Sequence, residues 1–223
     1  TSSSFLNTMS KKFKIGVTGD NHFHHNAVPT ARMVSNFNHY VIPYIKLLDM
    51  FVINGDFFDK LVAHDSKDVH LIQLLIVAII KECIIHNVKL RVLKGTPSHD
   101  NDQCQHFVTL YEALQTHYHK PIDFKYHDTL TIEYIEPFGY CMFMPDKFGT
   151  DPNDAYDRLI TLMDKVNVTK LDYAFMHGAF EFQLPYVHEK FPVHHNSDKY
   201  LDLVGGYIFI NHVHTRMIYD RIV

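Results

Sequence analysis

Cysteine and excess charge are both scarce in this chain. Three cysteines occur among its 223 residues, and their positions, 83, 104 and 141, show no paired spacing. A disulfide framework and a zinc ribbon are therefore excluded. Lysine and arginine number 21 against 25 aspartates and glutamates, a formal charge of -4, which excludes a strongly basic nucleic-acid clamp and an acidic disordered tail. A reducing, cytoplasmic setting is the simplest interpretation.

The sequence also lacks an uninterrupted apolar run that could cross a membrane. Its most apolar segment, residues 71–85, contains Gln73, Lys81 and Glu82 and is shorter than the roughly 18 residues that a span requires. We interpret it as a buried helix of a globular core and expect no membrane association. Internal repeats and low-complexity linkers are absent as well, so residues 11–223 are expected to form one domain.

The N-terminal segment, residues 1–10, is set apart from this domain. It is polar and rich in serine, and no basic region precedes an apolar one, so it is not a signal peptide. We expect this segment to be disordered or to be left over from expression, with Met9 as the natural start.

Short apolar strands alternate with helical patterns along the chain. In the first half, strands are predicted at 13–18, 50–53 and 88–93, with helices at 30–48, 66–86 and 107–116. Close-set strands follow at 124–126, 130–135 and 140–144, then a helix at 154–166 and strands at 173–176 and 207–210. Strand–helix alternation indicates an α/β protein. The close-set strands add antiparallel pairs, so we expect a four-layer αββα sandwich of mixed sheets.

Aspartate or histidine occurs in the segment after each of five predicted strands. These residues are Asp20 and His22, Asp56 and Asp59, His99 and Asp100, His177, and His212 and His214. Ligands bind beyond the carboxyl ends of strands in open α/β sheets, so we expect these side chains to form one cluster. Five of the 18 histidines fall into this pattern; the other 13 receive no function.

Carboxylates and imidazoles together are ligands of manganese, iron or zinc, and suit magnesium less well. Two dications a few ångströms apart repel each other, so a carboxylate that bridges them is required, and Asp56 is the candidate. Two-metal sites of this kind hold a phosphoryl oxygen and activate a water near neutral pH. The pattern therefore predicts phosphoryl chemistry.

The motifs occur in the order that is typical of a known superfamily. Asp20-x-His22, residues 55–59, the loop that ends in His99-Asp100, His177 and His212-x-His214 together resemble the calcineurin-like metallophosphoesterases. The Gly-Asp-Phe-Phe-Asp form at residues 55–59 resembles the SbcD-type nuclease subunit of double-strand-break repair complexes, including bacteriophage versions. The resemblance covers residues 13–214.

The resemblance implies two divalent metal ions, with Mn²⁺ as the expected ion and Mg²⁺, Fe²⁺ or Zn²⁺ as alternatives. The implied ligands are Asp20, His22 and His214 for the first ion, His177 and His212 for the second, and Asp56 for both. His99 is expected to stabilise the transition state or protonate the leaving oxygen. Asp100 is expected to orient His99, and Asp59 to support the ligands or fix a loop.

The loop before His99 departs from the family pattern. The family carries an asparagine amide ligand directly before the histidine, whereas here the loop is two residues longer and Ser98 stands in that place. A hydroxyl is a poorer ligand than an amide oxygen, so weak binding of the second ion is expected. Asn101 is a further candidate that could reach back to it. Asn211 also replaces the glycine that usually precedes the first histidine of the last motif.

The resemblance implies a dinuclear-metal phosphodiesterase, a DNA exonuclease or endonuclease of repair, recombination or phage DNA processing. It also implies an SbcC-type ABC ATPase partner, a homodimer, and a cytoplasmic location, in the host if the source is a bacteriophage. Two alternatives stay open: a phosphoesterase for small molecules or phosphoproteins, and a catalytically weak scaffold that binds a protein partner. Since the chain ends soon after His214, we expect a catalytic core without the C-terminal capping region.

Overall fold

Four parallel strands form the first sheet, in the order β1-β2-β3-β4. The computed structural model describes residues 12–146, 150–183, 194–214 and 216–223, so the expectation for residues 1–10 lies outside the described residues. The strands are β1 Ile15–Thr18, β2 Met50–Asn54, β3 Lys89–Leu93 and β4 Phe124–His127. Because every strand runs the same way, all four carboxyl ends lie at one edge.

The second sheet has the order β5-β6-β7-β8 and is mixed. Its strands are β5 Thr131–Ile135, β6 Gly139–Met144, β7 Tyr173–His177 and β8 Ile208–Asn211. β5 and β6 pair antiparallel, whereas β6, β7 and β8 are parallel. The expectation of two mixed sheets is therefore wrong for the first sheet. Its β4 follows a helix rather than a hairpin turn, and a helical crossover returns the chain as a parallel strand.

The helices cover the outer faces of the sheets. They are α1 Thr30–Tyr40, α2 Ile42–Ile45, α3 Lys67–His86, α4 Pro97–Asp100, α5 Gln105–Tyr118, α6 Pro152–Lys165 and α7 Ser197–Leu203. The single helix predicted at 30–48 is two helices, because Pro43 stands in the first turn of α2 and cannot donate the hydrogen bond that would continue α1. The sequence analysis missed α7, which begins within a polar stretch.

Three apolar clusters show how these elements pack. Alternate residues of β2 face opposite sides of the sheet: Phe51 and Ile53 pack under α1, α3 and α5, whereas Met50 and Val52 meet residues of the second sheet, such as Phe143. The third cluster joins the other face of the second sheet to α6 and α7. The sheets thus pack face to face between helices, which confirms the α/β class.

The apolar segment at 71–85 lies within α3, as a core helix. By length and hydropathy alone α3 could span a membrane. Its residues Ile72, Ile76, Ile79 and Ile80 are instead fully buried in the first cluster. Cys83 at its C-terminal end is free and buried, as are the other two cysteines, so all three pack as small apolar side chains.

Candidate metal centre

The carboxyl ends of strands from both sheets bring the predicted site residues together. Their ligand atoms form three groups, each within 4.8 Å: Asp20, His22 and His214 (the Asp20 group); Asp56, His177 and His212 (the Asp56 group); and His22, Asp59 and His99 (the His99 group). β1 and β2 lead into Asp20 and Asp56, and β7 and β8 lead into His177 and His212. Sheet topology alone therefore positions one donor set from four strands.

The Asp20 group contains a carboxylate oxygen suited to a cation. Asp20 Oδ2 accepts hydrogen bonds from the His212 backbone N–H at 3.1 Å and from the Asn211 amide at 3.4 Å. Asp20 Oδ1 is buried and, within the described part of the chain, accepts none. His22 Nε2 and His214 Nε2 face each other at 3.0 Å. A carboxylate oxygen and two imidazole nitrogens form a donor set that fits a divalent metal ion.

In the Asp56 group, a hydrogen bond to the backbone fixes the ring of His177. His177 Nδ1 donates to the Asn54 backbone oxygen at 3.0 Å, so the proton lies on Nδ1 and Nε2 points at the Asp56 carboxylate, 3.2 Å away. Such a bond orients a histidine ligand and selects its tautomer. The sequence analysis missed Asn54, although it closes β2; its side-chain amide donates to Met176 and Phe209 backbone oxygens and so links the two sheets.

Asp56 lies between the two groups. Its Oδ2 atom is 3.2 Å from His177 Nε2 and 3.9 Å from His22 Nε2, and the residue is buried. One carboxylate oxygen within reach of a ligand from each group is the arrangement that a bridging carboxylate needs.

The pKa values follow from burial and this pairing. Burial alone would raise the pKa of Asp56, but the hydrogen bond and charge of His177 lower it to about 2. Burial would lower the pKa of His177, and Asp56 raises it to about 9. Burial lowers the pKa of His22 and of His212, which favours the neutral imidazole that metal ligation requires.

The backbone of the site is held in rarely used conformations. Asp20, His22 and Asp56 have φ values of 50°, 48° and 48°, and His212 has 134°. Non-glycine residues adopt such values at a cost of about 1–3 kcal/mol each, and they persist where the surrounding structure over-determines them. Four of the proposed ligands share this feature, which no sequence pattern signalled and which is consistent with a candidate site at this edge of the sheets.

His99 lies beside the ligands on α4. Its ring centroid is 4.8 Å from that of His22, with the rings nearly perpendicular. Its Nδ1 donates to the Asp59 backbone oxygen at 2.5 Å, which leaves Nε2 for other partners. The Asp59 carboxylate lies 3.3 Å from His22 Nδ1, but within the described part of the chain that nitrogen makes no hydrogen bond.

Asp100 does not orient His99, which corrects the expectation from the sequence. Its buried carboxylate accepts hydrogen bonds from the Phe58 N–H at 3.0 Å and the Gly95 N–H at 2.7 Å. Neighbouring residues on the short helix α4 point in different directions, so Asp100 faces inward and ties the β2 and β3 loops together. Burial raises its pKa.

Thr96, not Ser98, is the loop residue that reaches the Asp56 group. Ser98 is exposed, and Asn101 donates its side-chain amide to the Ser98 and His99 backbone oxygens, within its own turn. The Thr96 hydroxyl lies 3.1 Å from Asp56 Oδ2. Ser98 was expected because the loop was aligned with the family pattern backwards from His99. An alignment forwards from the end of β3 would have placed Thr96 at the ligand position.

A groove adjoins the Asp20 group. It has a volume of about 470 Å³, and Asp20, His214 and the exposed Arg216 border it, with Phe209 and Met217 among its apolar walls. A cation and apolar surface beside the candidate metal ligands offer contacts to a phosphate and to the group it carries.

Comparisons with known proteins give the chain no family. No family model matches the chain, and no curated protein matches it. Among solved structures, one crystal structure has a TM-score of 0.47 and 12% sequence identity, and the match covers 90% of this chain and 84% of the other. This similarity establishes neither a family nor an activity.

Proposed function

We propose that the chain is a dinuclear-metal phosphodiesterase, a DNA nuclease of the calcineurin-like metallophosphoesterase type with the four-layer αββα architecture of that superfamily. The observation that carries the proposal is the position of Asp56 between two His/Asp groups, with His99 beside them. Structural zinc or calcium sites do not need a shared carboxylate, whereas a two-metal hydrolytic site does.

The residues of both groups fit divalent cations, with Mn²⁺ as the proposed ion. Two bound cations would supply Lewis-acid polarisation of the phosphoryl oxygens and a water of lowered pKa. The chain itself contributes the buried free oxygen of Asp20 and the orientation of the His177 ring, which the Asn54 backbone oxygen fixes. These features leave ligand atoms oriented before any cation binds.

His99 is the proposed proton donor to the leaving oxygen. The Asp59 backbone oxygen holds its Nδ1, so Nε2 is the atom that can carry a proton towards substrate. General acid catalysis by a positioned side chain contributes about 100- to 10,000-fold to a rate, and removal of His99 is expected to cost that much.

An extended substrate fits this site better than a small enclosed one. His212 and His214 are exposed, and the groove beside the Asp20 group presents Arg216 to a neighbouring phosphate. DNA supplies both a scissile phosphodiester and adjacent phosphates. An SbcC-type ATPase partner, a homodimer and a cytoplasmic location belong to the same proposal, because they accompany this class of nuclease.

The test compares substrates with matched variants. The protein is incubated with Mn²⁺ and single-stranded DNA, double-stranded DNA, bis-p-nitrophenyl phosphate or p-nitrophenyl phosphate. His99→Ala and Asp56→Ala are the site variants, and His117→Ala, an exposed histidine of α5, is the control. We expect DNA and diester cleavage that His117→Ala retains and both site variants lose.

Other outcomes contradict the proposal in different ways. Cleavage of the monoester alone would favour a small-molecule or phosphoprotein phosphatase at the same site. Inertness on all four substrates, with Mn²⁺, Mg²⁺, Fe²⁺ and Zn²⁺ tried in turn, would favour a scaffold that binds a protein partner.

A further inference from the structure

The Thr96 hydroxyl lies among the ligand atoms of the Asp56 group. Its oxygen is 3.1 Å from Asp56 Oδ2, 3.4 Å from His177 Nε2 and 3.4 Å from His212 Nδ1. Asp56 Oδ2 and His177 Nε2 are themselves 3.2 Å apart. The Thr96 hydroxyl therefore stands 3.1–3.4 Å from one donor atom of each of the three residues of the Asp56 group.

These separations match the edges of a small coordination tetrahedron. Zinc binds histidine nitrogen and carboxylate oxygen at about 2.0–2.2 Å in tetrahedral sites, which places ligand atoms about 3.3–3.6 Å apart. The three distances from the Thr96 hydroxyl and the one between Asp56 and His177 are 3.1–3.4 Å, which is close to that range. The hydroxyl is too far from the other donors to occupy the position of the ion itself, and it is placed as a fourth donor.

We propose that the Thr96 hydroxyl is the fourth ligand of the Asp56 group, which makes this group a tetrahedral two-nitrogen, two-oxygen site suited to Zn²⁺. The inference rests on the proposed function and deepens it, since it assigns the second cation of the two-metal site. It also replaces the weak second site that Ser98 suggested with a defined donor set.

The loop holds this hydroxyl in place before a cation binds. The Thr96 backbone N–H donates to Asp56 Oδ1 at 2.5 Å, and the preceding residue, Gly95, is fixed by the Asp100 carboxylate. Thr96 thus contacts both oxygens of Asp56 and sets the rotation of that carboxylate. A preorganised loop lowers the ordering cost of metal binding.

The net charge of a dication with these four donors suits a phosphate substrate. Its imidazoles must be neutral to ligate, and the hydroxyl is neutral, so Asp56 contributes the only negative charge among the four donors. A dication in this group would keep a net positive charge to attract a phosphate. The Asp20 group offers three donors of its own, and the shared Asp56 carboxylate is the proposed fourth.

The test separates the hydroxyl from the shape of the side chain. Thr96→Val keeps the branched shape and removes the hydroxyl, Thr96→Ser keeps the hydroxyl, and Ser98→Ala is the control in the same loop. Each protein is titrated with Zn²⁺ and with Mn²⁺ by calorimetry, and the visible spectrum of its Co²⁺ form is recorded. Urea unfolding shows whether each variant is folded.

We expect the wild-type protein to bind two cations and to give the intense visible absorption of tetrahedral Co²⁺. Thr96→Val should lower the affinity of one site for Zn²⁺ about 10- to 100-fold, a loss that is typical when a residue that supports a metal site is substituted. This variant should also lose the intense Co²⁺ band. Thr96→Ser and Ser98→Ala should keep both.

Two results would overturn the inference, and they differ. If Thr96→Val keeps both Zn²⁺ affinities and the tetrahedral Co²⁺ spectrum, the hydroxyl is no ligand, and the proposed phosphodiesterase stands without it. If the wild-type protein binds none of the three cations, the inference and the proposed function fail together.

Discussion

At the residue scale, Gly95 shows how the absence of a side chain at one position lets the loop lie against Asp56. A Cβ atom at this position would collide with the backbone nitrogen and carboxylate of Asp56. Because both atoms belong to the centre of the site, relief of the collision must displace the proposed bridging ligand. We expect Gly95→Ala to lower the free energy of unfolding by about 1–3 kcal/mol and to weaken Mn²⁺ binding.

The matched control is Gly205→Ala. A Cβ at Gly205 meets only the Leu171 backbone oxygen, at the ordinary distance of 3.7 Å. Urea unfolding and Mn²⁺ calorimetry on the two variants measure both effects. A Gly95→Ala protein that unfolds and binds Mn²⁺ as the control does would show that the loop tolerates the collision and does not position Asp56.

A substitution at Asp100 distinguishes its observed role, which is to tie two loops together, from its expected role, which is to orient His99. Its carboxylate accepts two backbone N–H groups at a buried position, so Asp100→Asn places an amide against two donors. We expect a loss of about 1–3 kcal/mol in the free energy of unfolding. The exposed Asp102→Asn is the control.

The pH dependence of diester hydrolysis decides between the roles. If Asp100 only ties the loops, the apparent pKa values of kcat for Asp100→Asn should match those of the wild-type protein. A displaced basic limb, with stability unchanged, would instead show that Asp100 acts through His99.

The sequence predicted which candidate residues would lie together at the sheet edge, but it did not predict their hydrogen-bond partners. Asp20, Asp56 and His177 directly follow strands, so sheet topology gathers them. Thr96 and Asn54 were missed because hydroxyls and amides at strand ends are common, and only the packing of two sheets shows which of them meet a ligand.

At the element scale, α3 has the clearest local signals. The Ser66 hydroxyl accepts a hydrogen bond from the Asp68 N–H at its start, and Asn87 ends it in the left-handed conformation with φ 56°. We expect Ser66→Ala to cost about 0.5–2 kcal/mol. Asn87→Val should cost about 1–2 kcal/mol, because a β-branched residue is strained at positive φ, while Asn87→Gly should be tolerated.

Thermal and urea unfolding of the three variants measure these costs. Equal stability of Asn87→Val and Asn87→Gly would contradict the account of this helix end. Helix ends carry local signals, which is why the predicted helix at 66–86 agrees closely with the observed α3. The division of residues 30–48 at Pro43 was also a local signal, which the apolar periodicity masked. The parallel pairing of β4 depends on tertiary packing, which periodicity does not report.

At the scale of the whole molecule, a buried histidine makes stability depend on pH. His127 is 5% exposed, and its ring stacks on Phe143 of the other sheet with centroids 4.1 Å apart. Burial lowers its pKa from 6.5 to about 4, with Glu133 opposing and Arg91 adding to the shift. The unfolded chain therefore binds a proton below pH 6.5 that the folded protein does not bind until about pH 4.

The direction of the pH dependence of stability follows from this difference in proton binding. Where the unfolded state binds more protons, stability rises with pH, so the contribution is complete above pH 6.5 and is lost as the pH falls towards 4. A pKa of about 4 instead of 6.5 corresponds to a loss of about 3 kcal/mol. Urea unfolding between pH 7 and 4 should show a smaller loss for His127→Gln than for the wild-type protein or the exposed control, His117→Gln. Equal slopes for all three would contradict the assignment.

The central claim is that the edge shared by both sheets binds two cations with Asp56 between them. Anomalous diffraction from crystals grown with Mn²⁺, recorded on both sides of the manganese absorption edge, tests it most directly. The account predicts two anomalous peaks per chain, one beside Asp20, His22 and His214 and the other beside Asp56, His177 and His212. A protein that shows no peak at these residues, or peaks elsewhere only, would contradict it.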